Sequence, residues 1–104
     1  MQDKFLSAIG LARRARGAVF GTEEVRNSAK SGKAKLIIVA SDASANTTKE
    51  ITDTAAFYKT ECIVSSYTMA ELSTATGFLR NVSSIAVTDR NLTVLIKKAM
   101  NTKM

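Results

Sequence analysis

Leu36-Ile37-Ile38-Val39-Ala40, followed at once by Ser41-Asp42-Ala43-Ser44-Ala45-Asn46, organises the reading of this 104-residue chain. The first five residues are short, continuous, apolar and rich in β-branching, the pattern of a central strand covered on both faces. The six that follow are turn formers and helix caps. A buried strand running into a capped helix start is one unit of an α/β sheet.

Outward from that strand, helix-like and strand-like patterns alternate in both directions. Towards the N terminus, Asp3 can cap a first helix with Phe5, Leu6, Ile9 and Ala12 on its apolar face. Arg13, Arg14 and Arg16 crowd its C-terminal end, where cations suit the helix dipole, and Gly17 is its stop. Ala18-Val19-Phe20 reads as a short strand ending at Gly21. Thr22 is the expected cap of the next helix, with Glu23 and Glu24 in its first turn and Ser31-Gly32 at its close.

Towards the C terminus, Thr47 to Tyr58 reads as a helix with Ile51, Ala55 and Tyr58 on one side, and Cys62-Ile63-Val64-Ser65 as a third strand. Thr68 caps a short helix carrying Met69 and Leu72 that stops at Gly77. Ser84-Ile85-Ala86-Val87-Thr88 is a fourth strand. Asp89 begins a last helix whose apolar residues are Leu92, Leu95, Ile96 and Ala99, with Lys97, Lys98 and Lys103 outside. The order αβαβαβαβα predicts a mostly parallel or mixed four-stranded sheet between two helical layers, a three-layer α/β/α sandwich. Strand order is not encoded in any local pattern.

Composition narrows the chemistry. Hydrophobic residues make up 45% of the chain, which fits a single folded domain over residues 1–104 and excludes a disordered tail. There is no His, so a His-based triad, a His-ligated metal and a haem axial His are impossible. Cys62 is the one cysteine; it can form no internal disulfide, and it suits a reducing, cytoplasmic setting. No apolar run approaches the roughly 18–20 residues a bilayer requires, and no membrane partner is expected. The Arg-rich opening, residues 1–20, carries Asp3 and continues smoothly into the next element, so it reads as part of the fold rather than a transit peptide.

The net charge is +6, and it is unevenly spread. Residues 1–35 carry +5, residues 36–89 carry −3 and residues 90–104 carry +4. If the two ends of the chain meet in space they form a basic face, and nucleic acid is the first partner to consider. A solubility surface is the plainer alternative.

Routes to catalysis are poor. The turn Ser41-Asp42-Ala43-Ser44 lies at the carboxyl end of the most buried strand, where α/β folds hold ligands. A serine nucleophile there would have only Lys or a carboxylate as base, and capping explains the same residues more simply. Glu23 and Glu24 project about 100° apart on a helix, which suits dipole stabilisation better than paired acid–base work. Cys62, Met69 and Met100 read as core residues. Gly10, Gly17, Gly21, Gly32 and Gly77 are too scattered for a Walker loop or dinucleotide fingerprint.

Gly21 offers more. A strand ends and a helix begins there, placing backbone amides and the Thr22 hydroxyl at a positive helix end that can hold phosphate. Glu23 or Glu24 can accept hydrogen bonds from donors on a base edge, while first-turn preference alone also accounts for them.

The residues also carry a resemblance. Gly21-Thr22-Glu23-Glu24-Val25-Arg26-Asn27, continuing through Ser31-Gly32-Lys33-Ala34-Lys35 into Leu36–Ala40 and Ser41-Asp42, resembles the signature of the L-seven-Ae/L-thirty-e ribosomal protein superfamily. Leu11-Ala12-Arg13-Arg14-Ala15-Arg16-Gly17 resembles the opening of its small bacterial members, and Ser41–Thr47 points to the YlxQ-type group. The similarity runs over nearly the whole chain. It implies an α/β/α sandwich that binds structured RNA, usually at kink-turns, or a related ribosomal RNA feature, without catalysis or cofactor.

In the family's kink-turn binders the helix start follows Gly-Thr-Asn-Glu-x-x-Lys. Gly21, Thr22 and Glu24 match it; Glu23 stands at the Asn position and Asn27 at the Lys position. A neutral amide and a cation are thereby lost. The resemblance also assigns the loop Gly77-Phe78-Leu79-Arg80-Asn81-Val82 to an extruded nucleotide, where Phe78 and Leu79 beside Arg80 fit stacking on a splayed base as well as packing under the sheet. Arg13, Arg14, Arg16, Lys33 and Lys35 are the expected phosphate contacts. The expected protein is a monomer that binds RNA and is ribosome-associated; the alternative is a protein-interaction module of the same fold that has lost kink-turn recognition.

Overall fold

The computed structural model describes residues 4–77 and 81–101. The elements follow in the order α1 (Lys4–Arg14), β1 (Ala18–Phe20), α2 (Thr22–Lys30), β2 (Leu36–Val39), α3 (Ala45–Phe57), β3 (Glu61–Val64), α4 (Met69–Thr76), β4 (Ser84–Val87) and α5 (Arg90–Asn101). Asp3, the expected cap of α1, and Lys103 lie outside the described residues.

The four strands form one mixed sheet in the order β1-β4-β2-β3. β4 is antiparallel to both of its neighbours, pairing Phe20 with Ile85 on one side and Val39 with Ser84 on the other. β2 and β3 are parallel, with Leu36 opposite Glu61 and Val39 opposite Val64. β2 and β4 are therefore central, and every residue of both is buried.

Strand alternation explains why β2 is apolar throughout. Leu36 and Ile38 point into a cluster with Phe5, Ile9, Leu72, Ile85 and Ile96, which brings α1, α4 and α5 onto one face. Ile37 and Val39 point the other way, into Val25, Ala29, Ile51 and Ala55, which brings α2 and α3 onto the other. The result is the expected three-layer α/β/α sandwich. Each fully buried aliphatic side chain contributes about 1.5–3 kcal/mol, so a polar residue at any β2 position would lose that and bury an unpaired group as well.

Local signals set most helix boundaries. The Ser44 hydroxyl accepts the Thr47 amide at 3.1 Å, so α3 begins at Ala45, two residues before its expected start. Thr68 and Glu71 form a reciprocal capping box at α4, which ends on Gly77 in the left-handed conformation. Asp89 Oδ1 accepts the Leu92 amide at 3.0 Å and starts α5.

Two apolar assignments are corrected. Tyr58 does not continue the Ile51–Ala55 face: α3 ends at Phe57, Lys59 turns the chain at φ 57°, and Tyr58 is exposed with its ring edge-on to Phe57. Leu95 is 42% exposed although Ile96 beside it is fully buried. It faces the exposed Leu11 across a groove between α1 and α5 whose rims carry Lys4 and Lys98. The first and last helices thus do meet in space.

Candidate nucleic-acid interface

Three segments converge at one end of the sheet: the exit of β1 into α2, the exit of β2, and the entry of β4. The Gly21 amide donates to the Ser84 carbonyl at 3.0 Å, and the Ala40 amide to the Ser83 carbonyl at 2.9 Å. The Thr22 and Ser83 hydroxyls lie 3.3 Å apart. Val82 is buried, and its amide donates to Ser73 Oγ on α4 at 2.8 Å. α4 therefore pins the return of the 77–82 loop beside the start of α2. Phe78, Leu79 and Arg80 themselves lie outside the described residues.

The start of α2 differs from the sequence expectation. Gly21, not Thr22, is the N-cap, and no side chain caps the helix. Gly21 has φ 98° and ψ 154°, a conformation in which an L side chain is strained. Thr22 is the first helical residue, with its hydroxyl turned to Ser83. The first-turn amides of α2 thus lack a side-chain acceptor, and the helix dipole adds partial positive charge. Glu23 and Glu24 are exposed there and form no ion pair among the described residues. Asn27 is exposed one turn further on; helical spacing sets it beside Glu23 and Glu24. Arg26, by contrast, is engaged by Glu50 of α3.

The Ser41–Asn46 turn closes the same end, and its oxygens are spent on helix starts. Asp42 Oδ1 accepts the Met69 amide of α4 at 2.8 Å, while Ser44 caps α3. The capping reading of this turn describes what these two side chains do. The Ser41 amide donates to the Tyr67 carbonyl at 2.7 Å, and the Tyr67 ring stacks on Phe5 of α1 with centroids 4.6 Å apart. Cys62 is half-buried against the α2–α3 layer, and burial pushes its thiol pKa up, as a core cysteine requires.

The basic residues expected to serve this site are not gathered around it. Arg16 precedes β1, and Lys33 and Lys35 precede β2; all three are exposed at the opposite end of the strands. Four residues of strand, roughly 13 Å of backbone, separate them from Gly21–Glu24. Arg13 and Arg14 are exposed in the last turn of α1, with Arg14 Nη1 lying back towards Gly10. Sequence reasoning also passed over Ser83 and Tyr67, which hold the site's segments together. No local signal marks them, because their role depends on β4 lying between β1 and β2.

Residues 3–96 match the model of the Ribosomal protein L7Ae/L30e/S12e/Gadd45 family. The chain belongs to that family. It is 34% identical over 84 residues to an RNA-binding protein YlxQ of Enterococcus faecium, covering 81% of each chain. Over 51 residues it is 43% identical to the RNA-binding protein YlxQ of Bacillus subtilis, covering 49% of this chain and 51% of that one. These similarities make it a YlxQ-type member, and its relatives are ribosomal-type and RNA-binding proteins, not enzymes. A solved protein of unknown function from Bacillus halodurans superposes with a TM-score of 0.88 at 29% identity, over 96% of this chain and 99% of that one. The Giardia lamblia 15.5kD RNA binding protein superposes at 0.73 with 13% identity, over 95% and 83% of the two chains, and shares the fold.

Proposed function

We propose that this protein binds structured RNA, without catalysis, at a kink-turn or a related irregular feature of ribosomal RNA. The observation that carries the reading is the uncapped start of α2, held against the return of the 77–82 loop by the Gly21–Ser84 and Thr22–Ser83 contacts. Two carboxylates exposed at that spot oppose general phosphate affinity. They gain a purpose when they accept hydrogen bonds from base-edge donors, which an irregular RNA splays open on several edges and a regular A-form helix offers only in its shallow minor groove. Gly21, Thr22, Glu23, Glu24 and Asn27 form the reading surface, and Phe78, Leu79 and Arg80 supply the contact to a splayed base.

Arg13, Arg14, Arg16, Lys33 and Lys35 supply sequence-independent phosphate attraction. Under this division, removing Lys33 lowers the salt slope of binding by about one unit, whereas Glu24→Ala relaxes target choice. The protein works as a monomer, in the cytoplasm and in association with the ribosome. The test is a titration against a kink-turn RNA and a plain duplex of equal length at two salt concentrations. Preference for the kink supports the reading, and equal binding to both sinks it. Binding to neither RNA would favour a protein-interaction module, a reading supported by the loss of the family's Asn and Lys at Glu23 and Asn27.

A further inference from the structure

The end of the sheet remote from Gly21 carries its own organised charge. Four connections meet there, one at each strand: α1–β1 brings Arg16, α2–β2 brings Lys33 and Lys35, α3–β3 brings Lys59, and β4–α5 brings Arg90. Backbone hydrogen bonds lace three of them together, with the Thr88 amide on the Gly17 carbonyl at 2.8 Å and the Lys35 amide on the Val87 carbonyl at 2.7 Å. Neighbouring strands are about 4.8 Å apart, so the four strand ends set these cations in a row roughly 15 Å long. All five side chains are exposed, and none forms an ion pair among the described residues. The two carboxylates at this end are already engaged: Asp89 caps α5, and Glu61 pairs with Lys97 at 2.7 Å.

Helix-dipole compensation explains only part of this row: it suits Arg16, Lys33 and Lys59, which follow helix C-termini, but not Arg90. Arg90 sits in the first turn of α5, where a cation is unfavourable and where no acidic residue stands. Arg16 and Lys59 are more telling. They are the two non-glycine residues with positive φ among the described residues, at 59° and 57°. Each closes a helix in the same way. The Gly17 amide reaches back to the Ala12 carbonyl, and the Thr60 amide reaches back to the Ala55 carbonyl, both at 2.8 Å. That is the helix-ending motif whose left-handed position ordinarily holds glycine. In both places the chain keeps a strained cation instead, and both places are at this one end.

We propose that this end of the sheet is a second RNA contact surface, which holds backbone phosphates of a stem flanking the feature read at the start of α2. Its row of exposed cations takes phosphate irrespective of sequence. The inference rests on the RNA-binding reading above, and it divides the expected phosphate contacts into a set remote from the reading surface, enlarged by Lys59 and Arg90.

The test uses the double variant Arg16→Gly/Lys59→Gly, which deletes two charges and relieves two strained conformations. Its Tm is unchanged or raised, so a loss of binding cannot be a loss of folding. Affinity is measured for wild type and variant on kink-turn RNAs with a short or a long flanking stem, and on a plain duplex, across a salt series. Wild type gains affinity from the longer stem; the variant loses that gain, and its salt slope on the long-stem RNA falls by about two units. Binding to the short-stem RNA changes little. An unchanged slope and stem dependence in the variant overturns the second surface. Failure of the kink reading has a different signature: wild type then binds kink and duplex alike, while the variant still lowers the slope on the duplex.

Discussion

Replacing Gly21 with alanine isolates what the backbone at the start of α2 costs. A Cβ built there meets nothing within 4 Å, so the substitution creates no clash, and the whole penalty comes from φ 98° and ψ 154°. Holding a non-glycine residue in such a region costs about 1–3 kcal/mol. This φ/ψ lies in the essentially glycine-only region, so the cost falls in the upper half of that range; reduced freedom of the unfolded chain returns about 0.4–1 kcal/mol, leaving a net loss of about 1–2.5 kcal/mol. For a chain of this size that lowers Tm by roughly 5–10 °C. Urea and thermal unfolding followed by far-UV circular dichroism read it directly. Asparagine provides the internal control. Gly77 is in the left-handed helical region, at φ 79° and ψ 14°, which asparagine tolerates better than alanine does. Gly77→Asn therefore costs less than Gly77→Ala, whereas Gly21→Asn costs as much as Gly21→Ala. A Gly21→Ala protein within about 0.5 kcal/mol of wild type would refute the assignment of this backbone to the glycine.

Other consequences follow from burial. Ile38→Ala, at a fully buried central position, lowers stability by about 2–5 kcal/mol in urea unfolding, whereas Val64→Ala, on the edge strand and 52% exposed, changes it by less than about 1 kcal/mol. Ser84 Oγ is buried without a hydrogen-bond partner, so Ser84→Ala is neutral or stabilising by up to about 1 kcal/mol; a clear loss of stability in the same assay would show that the hydroxyl is satisfied. Burial raises the Cys62 thiol pKa, so the unfolded chain sheds its thiol proton first as pH climbs. Stability contributed by the protonated thiol is complete below the ordinary thiol range and falls as pH rises through about 8.5. Unfolding free energies measured at pH 7 and pH 10 should therefore drop more in wild type than in Cys62→Ala.

What could be read from the sequence follows how local each cause is. β2 was legible because a strand covered on both faces must be apolar at every position, and the caps at Ser44, Thr68 and Asp89 because a short polar side chain acts within three residues of itself. Thr22 was misread for a non-local reason: its hydroxyl faces Ser83, sixty-one residues away. Tyr58 and Leu95 had correct helical spacing, but α3 ends before Tyr58, and α1 and α5 leave an open groove at Leu95. The site divided in the same way. Gly21–Asn27 is contiguous and was visible, whereas its pairing with Ser83–Ser84, and the gathering of Arg16, Lys35, Lys59 and Arg90 at the far end, exist only because the strands are ordered β1-β4-β2-β3.

In the proposed function, exposed carboxylates at the start of α2 read an irregular RNA rather than bind RNA in general. A titration of wild type and Glu24→Ala against a kink-turn RNA and a matched plain duplex, at two salt concentrations, tests it most directly. Wild type is expected to prefer the kink, and Glu24→Ala to lose this preference, by roughly 1–3 kcal/mol, while keeping its binding to the duplex. Equal binding of wild type to both RNAs, or a Glu24→Ala protein that keeps the full preference, would contradict it.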